Sequence, residues 1–351
     1  MARARPETDR EGGERHGHHP ARALPPLRHP GVPLTGPGAP PPQAHLPEDT
    51  LTAPVIRTLD PSSAHLFHDL PDPLGLSERH RTTEYRPEWQ RVALRDGRPV
   101  ARAAWWARAE DPAPLLINWL DVAEGEEAAG AELLRTAPWT TQELELDLPP
   151  GWRDDPALAA AVATRTEAAR LAGYEPLVER FLYRWTPDLG LPEQPGRLEY
   201  TPEPDDAVFL DVLRRIHSVT LDAHARRAIE KGGVDLAARE ELDFFHWCPS
   251  PREWWRLART PEGETAGIHI PARNPSGPCV GFIGVVPEQR GHGYAYDLLA
   301  DCTRFLAGQG ADFIAAATDQ GNFPMAAHFT KAGYPVVRER VNFWADRGPA
   351  A

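Results

Sequence analysis

A phrase of about ten residues occurs twice in this chain. EWQRVALRDG at residues 88–97 returns as EWWRLARTPEG at 253–263, and Trp89 and Trp254 set the offset at 165 (254 − 89). AGYEPLVERFLYRW at 172–185 returns as AGYPVVRERVNFW at 332–344, with Gly173 and Gly333 160 apart (333 − 173). Two echoes in the same order at nearly the same spacing mark a duplicated domain. Whatever the fold is, the chain builds it twice, and its 351 residues suit two units of ~150.

The two copies differ most over residues 279–308, CVGFIGVVPEQRGHGYAYDLLADCTRFLAG. Residues 279–286 form a short apolar run closed by Pro287, which predicts a buried strand. From Ala295 the residues Leu298, Leu299, Cys302, Phe305 and Leu306 recur at helical spacing, and Gly308 and Gly310 stop the pattern. Between strand and helix lies QRGHGYA, residues 289–295. That order aims several backbone N–H groups at one spot, where orphan donors and the helix dipole together favour an anion. Gly291 and Gly293 carry no side chain to block a phosphate, and Arg290 adds a positive charge with bidentate reach. The pattern predicts a pyrophosphate cradle. At the offset of 165, Arg290, Gly291 and Gly293 fall on Gly125, Glu126 and Ala128. The first copy thus lacks the arginine and brings carboxylates where a pyrophosphate needs donors.

Known cradles discriminate further. A P-loop needs Gly-Lys-Ser/Thr at the turn, which is missing, and a dinucleotide fingerprint needs a third glycine where Tyr296 stands. Arg290-Gly291-His292-Gly293-Tyr294-Ala295, after a strand ending Val-Val-Pro and before an amphipathic helix, matches R-x-x-G-x-G/A. It closely resembles the acetyl-CoA loop of the GNAT superfamily of acyltransferases. Downstream, Asp319-Gln320-Gly321-Asn322, then Met325, Phe329, Lys331, Gly333 and Tyr334, resemble that family's second motif.

The resemblance implies an α/β (α+β) chain of two tandem GNAT-like domains, the first a degenerate copy. Each would be a mixed, mostly antiparallel sheet flanked by helices. The strands over 279–286 and 313–318 would splay into a wedge for the thiol of acetyl-CoA, the co-substrate. Val285, Val286, Arg290, Gly291, His292, Gly293, Tyr294, Ala295, Asn322 and Phe329 would line its site. The implied reaction is N-acetylation of a primary amine of a small molecule or peptide by direct attack. A backbone N–H near Val285 would polarise the thioester. Many family members place a tyrosine at Phe329 to protonate the leaving thiolate, and phenylalanine has no proton to give. That departure keeps a non-catalytic acyl-CoA-binding or interaction protein as the alternative, with a dinucleotide oxidoreductase behind it.

The general base falls in the helical region that builds the acceptor side in such proteins. Asp222, His224, Glu240, Glu241, Asp243 and His246 are available there. His246 stands in an apolar setting, Phe244-Phe245-His246-Trp247, where an imidazole works near neutral pH. It is taken with Glu240 and Asp243 as the candidate base.

The expected layout is a disordered Pro/His/Arg-rich tail (1–48), the degenerate copy (49–187), a linker (188–204), the cofactor-binding copy (205–346) and a short tail (347–351). Strands are predicted over 88–94, 99–106, 115–122, 141–148, 179–185, 265–270, 313–318 and 336–344. Helices are predicted over 124–134, 157–171, 206–218, 222–245 (interrupted at Gly232-Gly233) and 324–332. The net charge of −13 argues against nucleic acid and anionic lipid and suits a cationic amine. Cys248, Cys279 and Cys302 show no metal or disulfide spacing. They read as core residues of a cytoplasmic protein without a metal site. No run approaches the ~20 apolar residues of a membrane span. One chain with two copies is its own pseudo-dimer and compatible with a monomer.

Overall fold

The computed structural model describes residues 53–75, 85–108, 111–139 and 143–346. The two expected tails, 1–48 and 347–351, lie outside these described residues.

The first half runs β1 (Val55–Thr58), β2 (Gln90–Arg95), β3 (Arg98–Trp106), β4 (Leu116–Val122), α1 (Glu127–Arg135), β5 (Glu143–Leu148), α2 (Pro156–Leu171) and β6 (Glu175–Trp185). The second runs β7 (Glu199–Pro202), α3 (Asp206–His217), α4 (Ala223–Trp247), β8 (Arg256–Arg259), β9 (Thr265–Asn274), β10 (Gly277–Val285), α5 (Tyr294–Gly308), β11 (Ile314–Asp319), α6 (Phe323–Lys331) and β12 (Val336–Trp344). Apart from α3 and α4, each element of one half has its partner in the other. The predicted elements are present, with ends shifted by a few residues. β1 and β7 are additional, and β7 lies inside the stretch expected to be linker.

Local chemistry sets the boundaries. Asp96 (φ 51°) and Gly97 (φ 77°) both take left-handed backbone, so the Asp-Gly pair turns the β2–β3 hairpin with the hand the strand twist needs. Asp155 accepts from Ala157 N–H (2.9 Å) and is followed by Pro156, a cap and N1 pair that starts α2. Asp205, Asp222 and Asn322 cap α3, α4 and α6 in the same way. α4 breaks at Gly232-Gly233, where Gly233 takes φ 82°.

One twelve-stranded sheet passes through both halves in the order β1-β2-β3-β4-β5-β12-β6-β11-β10-β9-β8-β7. The last strands are exchanged. β12 pairs antiparallel with β5, from Glu339↔Leu148 to Trp344↔Glu143. β6 pairs with β11, from Ile314↔Trp185 to Asp319↔Arg180. β6 and β12 then pair with each other in the middle. Each half is therefore completed by a strand of the other. Two parallel contacts sit at matching places, β4 with β5 and β10 with β11, and each is a single bridge: Ile117↔Leu144 and Cys279↔Ala315.

α1 and α2 cover the first half through one large apolar cluster. In the second half α3 and α4 pack on β8, β9 and β10 through Phe209, Leu213, Phe245 and Trp255. α5 and α6 form a separate cluster with β6 and β11 through Leu299, Phe329, Tyr183 and Trp185. Residues 188–198 are not a free tether. Arg304 Nε donates to Pro192 O (2.8 Å) and Gln194 Nε2 to Asp301 Oδ1 (2.9 Å), which lays this segment along α5.

Candidate functional site

Eight residues, 286–293, join β10 to α5, whereas four, 123–126, join β4 to α1. The longer connection makes a short helical turn over Pro287–Gln289 and then runs through Gly291 (φ 86°) and Gly293 (φ 76°). Both glycines hold left-handed backbone that side chains other than Gly strain to adopt. Gly293 is the N-cap of the 15-residue helix α5 and offers no capping side chain. The N–H groups of Gly291, His292 and Gly293 have no backbone acceptor among the described residues. They adjoin the helix N-terminus, and unpaired donors of this kind are what an anion would complete. In the first half the equivalent turn is closed by its own acids. Gly125 N–H donates to Glu127 Oε1 (3.3 Å), and Glu126 is held by Arg95 at 2.6 and 2.7 Å.

A residue that sequence patterning passes over braces the cradle. Arg197 Nη1 donates to His292 O (2.8 Å), while Nε and Nη2 grip the two oxygens of Asp297 at 3.0 and 2.6 Å. Asp297, in the first turn of α5, is 1% exposed, and its hydrogen bond holds the Arg197 guanidinium above its ordinary pKa. Removing one partner of a fully buried pair costs ~3–5 kcal/mol. Arg197 keeps 45% of its side chain exposed, so Arg197→Met should destabilise by about 2 kcal/mol. Asp297→Asn in the same chain should recover most of it, as urea unfolding of the double-mutant cycle would show. Additive single effects would remove the brace.

Beside the cradle the sheet opens. β10 touches β11 only at Cys279↔Ala315 and then parts from it. Val286 N–H donates to Ala266 O on the β9 side (3.0 Å). By strand alternation the N–H of Val285 faces the opening. Arg290 turns toward the same place, with Nε 3.5 Å from Val285 O and Nη1 3.1 Å from Val219 O.

The link between α3 and α4, residues 218–222, crosses the mouth of the opening. Val219 ties it to Arg290 at the end of β10. At the end of β11, Asp319 accepts from Ala223 N–H (2.8 Å) and from Arg180 Nε (2.9 Å), and Arg180 Nη2 donates to Asp222 (2.7 Å). Burial raises the Asp319 carboxyl. The α3–α4 pair lies close on β10 because two positions there are glycine. A Cβ at Gly284 would meet Ile216 Cδ1 at 2.6 Å, and one at Gly281 would meet Phe245 at 2.7 Å.

A polar belt continues under α4 across the exchanged strands. His224 joins Arg180 through Nδ1 (2.9 Å) and Glu143 through Nε2 (2.8 Å). Asn342 Nδ2 donates to Glu143 (2.6 Å), and Arg340 holds Glu145 (2.7 Å) and Asp147 (2.6 Å). Burial pushes Glu145 up to about 7 against the pull of Arg340. In Glu143 burial, the largest single influence, also acts upward, but the hydrogen bonds from His224 and Asn342 and the nearby charges of His224 and Arg180 together outweigh it and lower the carboxyl.

The expected site residues are only partly brought together. Val285 to Ala295 form the strand end and cradle. His292 stacks on Tyr294 with ring centroids 5.4 Å apart. Asn322 Oδ1 caps α6 at Met325 N–H (3.3 Å). Phe329 is 2% exposed and lies stacked on Tyr183 at 4.3 Å, inside the core rather than on the cradle. Of the candidate bases, Glu240 and Asp243 lie on the exposed face of α4. His246 is exposed too and bonds Asp206 (2.8 Å) beside Arg252, 5.0 Å from the Trp255 ring. The neighbouring Glu241 is the acid that turns inward, 3.8 Å from buried His217. Among the described residues no cluster of His, Cys, Asp and Glu suits a metal ion, and no helix is long and apolar enough to cross a membrane.

No protein-family model matches the sequence, and no curated protein does. Solved structures similar to the chain include a GCN5-related N-acetyltransferase from Sphaerobacter thermophilus, 15% identical over 83% of this chain and 94% of that one, with a TM-score of 0.49. A tandem GNAT protein from the clavulanic acid biosynthesis pathway is 18% identical over 81% and 90%, TM-score 0.44. A GNAT-family acetyltransferase from Colwellia psychrerythraea is 11% identical over 83% and 100%, TM-score 0.41. At such scores a likeness assigns no side chain a role.

Proposed function

We propose that the second half is an acetyl-CoA-dependent N-acetyltransferase acting on a primary amine of a small molecule or peptide. One conjunction supports this above all: a helix N-terminus with three loop N–H groups that have no backbone acceptor among the described residues, set beyond the end of a strand that parts from its parallel neighbour after a single bridge. The residues present fit a diphosphate-bearing thioester. Gly291, His292, Gly293, Tyr294 and Ala295 would hold the diphosphate, with Arg290 at the rim and Asn322 on the pantetheine side. Val280 and Ile283 give the opening an apolar wall.

Bound acetyl-CoA supplies a thioester carbonyl for an amine to attack. The Val285 N–H would orient that oxygen and stabilise the charge that develops on it, and coenzyme A would leave as the thiolate when the C–N bond replaces the C–S bond. The 218–222 link would lie at the mouth, held by Arg290 at Val219 and by Asp319 at Ala223. Phe329, buried against Tyr183, holds no proton for the reaction. That absence favours one second reading, an acyl-CoA-binding protein without turnover. The net charge of −13 supports a cationic acceptor. Three buried free cysteines support a reducing, cytoplasmic setting. The first half, with its own acids at the cradle, acts as the supporting copy of a pseudo-dimer.

Acetyl-CoA consumption with a panel of primary amines, beside calorimetric titration with coenzyme A, tests both readings. Turnover is expected. Binding without turnover would favour the second reading, and indifference to coenzyme A would remove both.

A further inference from the structure

His217 is the most isolated polar side chain beside the opening. It is 2% exposed, and neither Nδ1 nor Nε2 has a hydrogen-bond partner among the described residues. Leaving a buried ring of this kind unpaired is unfavourable, and a polar ligand group beside it would complete its hydrogen bonding. Its Nε2 points at Glu241, 3.8 Å away. That gap is too long for a direct hydrogen bond, so each group keeps its capacity for a donor set beside the pair, within reach of both.

The pair sits over the part of β10 that has left β11. The His217 ring lies 6.0 Å from Phe282, next to Ile216 on Gly284. Glu241 lies one helical turn before Phe245, which rests on Gly281. The groups facing Glu241 are Asp222 at the start of α4, Arg180 of β6, His217 of α3 and Cys248 at the end of α4.

Resting on the acyltransfer reading above, we propose that His217 and Glu241 form the subsite that receives the acceptor's primary ammonium group, with Glu241 taking its proton. In that step the Glu241 carboxylate accepts one proton from R–NH3+, leaving R–NH2 with a free lone pair and a neutral carboxyl. His217 fixes the nitrogen by a hydrogen bond from one side. Both groups are tuned for the task. Burial, with Asp222 adding to it and Arg180 opposing it, lifts Glu241 to about 8. Burial lowers His217, so the ring stays neutral at physiological pH and keeps one acceptor nitrogen.

The sign for stability follows. A carboxyl whose folded pKa stands above its unfolded value of 4.5 binds more protons in the folded state. Its contribution is full below the unfolded value and is lost as pH rises toward about 8. Glu241→Gln should therefore unfold at a higher temperature than wild type at pH 9 and not at pH 5. The same substitution at exposed Glu230 should make no difference at either pH.

The deciding experiment uses the full chain with coenzyme A present at pH 7.5. Wild type, Glu241→Gln and His217→Gln are titrated with methylammonium and with tetramethylammonium at equal ionic strength, reading thermal stability. Wild type should be stabilised by methylammonium alone, Glu241→Gln should lose the effect, and His217→Gln should weaken it at least tenfold. Equal action of the two cations on wild type, or an unchanged response in Glu241→Gln, overturns the subsite. So does a response lost instead in Glu240→Gln or Asp243→Asn. Coenzyme A is first titrated alone, and a wild type that it does not stabilise but methylammonium does supports the subsite and overturns the cofactor reading.

Discussion

Gly293→Glu should abolish coenzyme A binding and leave the protein folded. Residue 293 is the N-cap of α5 and holds φ 76°. A side chain there meets only Arg197 Nη2, at 3.6 Å from its Cβ, which is ordinary contact. The left-handed backbone costs a non-glycine residue ~1–2 kcal/mol, small beside the stability of a chain this size. The new carboxylate would stand where the diphosphate oxygens go. Two like charges about 4 Å apart at a protein surface repel by ~4 kcal/mol, close to a thousandfold in affinity. Wild type with coenzyme A at a hundred times its dissociation constant should gain ~2.7 kcal/mol of stability, and Gly293→Glu none. Gly293→Ala separates charge from backbone strain, since it carries the strain alone and should bind within about tenfold of wild type. Coenzyme A affinity unchanged in Gly293→Glu would place the ligand elsewhere.

The glycine turn before α5 is legible in the sequence because its information is local. Two glycines two residues apart, between an apolar run and a helical period, have few other conformations open to them. Its brace is not legible. Arg197 stands in a Pro-rich stretch and meets Asp297 a hundred positions on, and neither residue belongs to a periodic pattern. The edge strand β7, with sequence EYTP, is too short and too close to prolines to announce itself.

The strand exchange was hidden for a different reason. ERFLYRW in β6 and RERVNFW in β12 carry the same alternation, because the two halves are copies. Either strand satisfies either edge, and periodicity cannot say which neighbour it takes. The exchange places Arg180, on β6, against Asp319 of β11 and Asp222 of α4. It also brings Glu143 of β5 to His224. The polar belt under α4 is thus built from both halves, although the glycine turn before α5 belongs to one. Which acid of α4 turns inward is not legible beyond Gly232-Gly233. The break there resets the helical phase, so counting from Asp222 does not separate Glu241, which turns inward, from Glu240, which does not.

The first half meets its charges inside the chain, and neutralising Asp121 should expose how much depends on that. Asp121 is 1% exposed between two arginines that are equally buried, Arg102 and Arg165. It accepts from Arg102 Nε (2.7 Å), from Trp119 Nε1 (2.8 Å) and from Arg165 Nη2. Arg165 also donates to Leu120 O (2.8 Å) and Ala161 O (2.6 Å), which ties β4 to α2. Asp121→Asn keeps the shape but turns an NH2 group toward a guanidinium and leaves two buried positive charges without a counterion. Such a loss costs ~3–5 kcal/mol, which for a unit of this size lowers the melting temperature by about 10 °C. Replacing all three residues together, Arg102→Met, Asp121→Leu and Arg165→Met, should recover more than half of it, because desolvation of the charges disappears with the charges. Coenzyme A binding at low temperature should persist in Asp121→Asn, since the triad lies in the half whose turn is closed by Glu126 and Glu127. Urea unfolding of the three proteins decides the matter. A loss under 1 kcal/mol in Asp121→Asn, well below the range for a broken buried pair, would mean that packing of the three side chains, not their charge balance, holds β4 on α2.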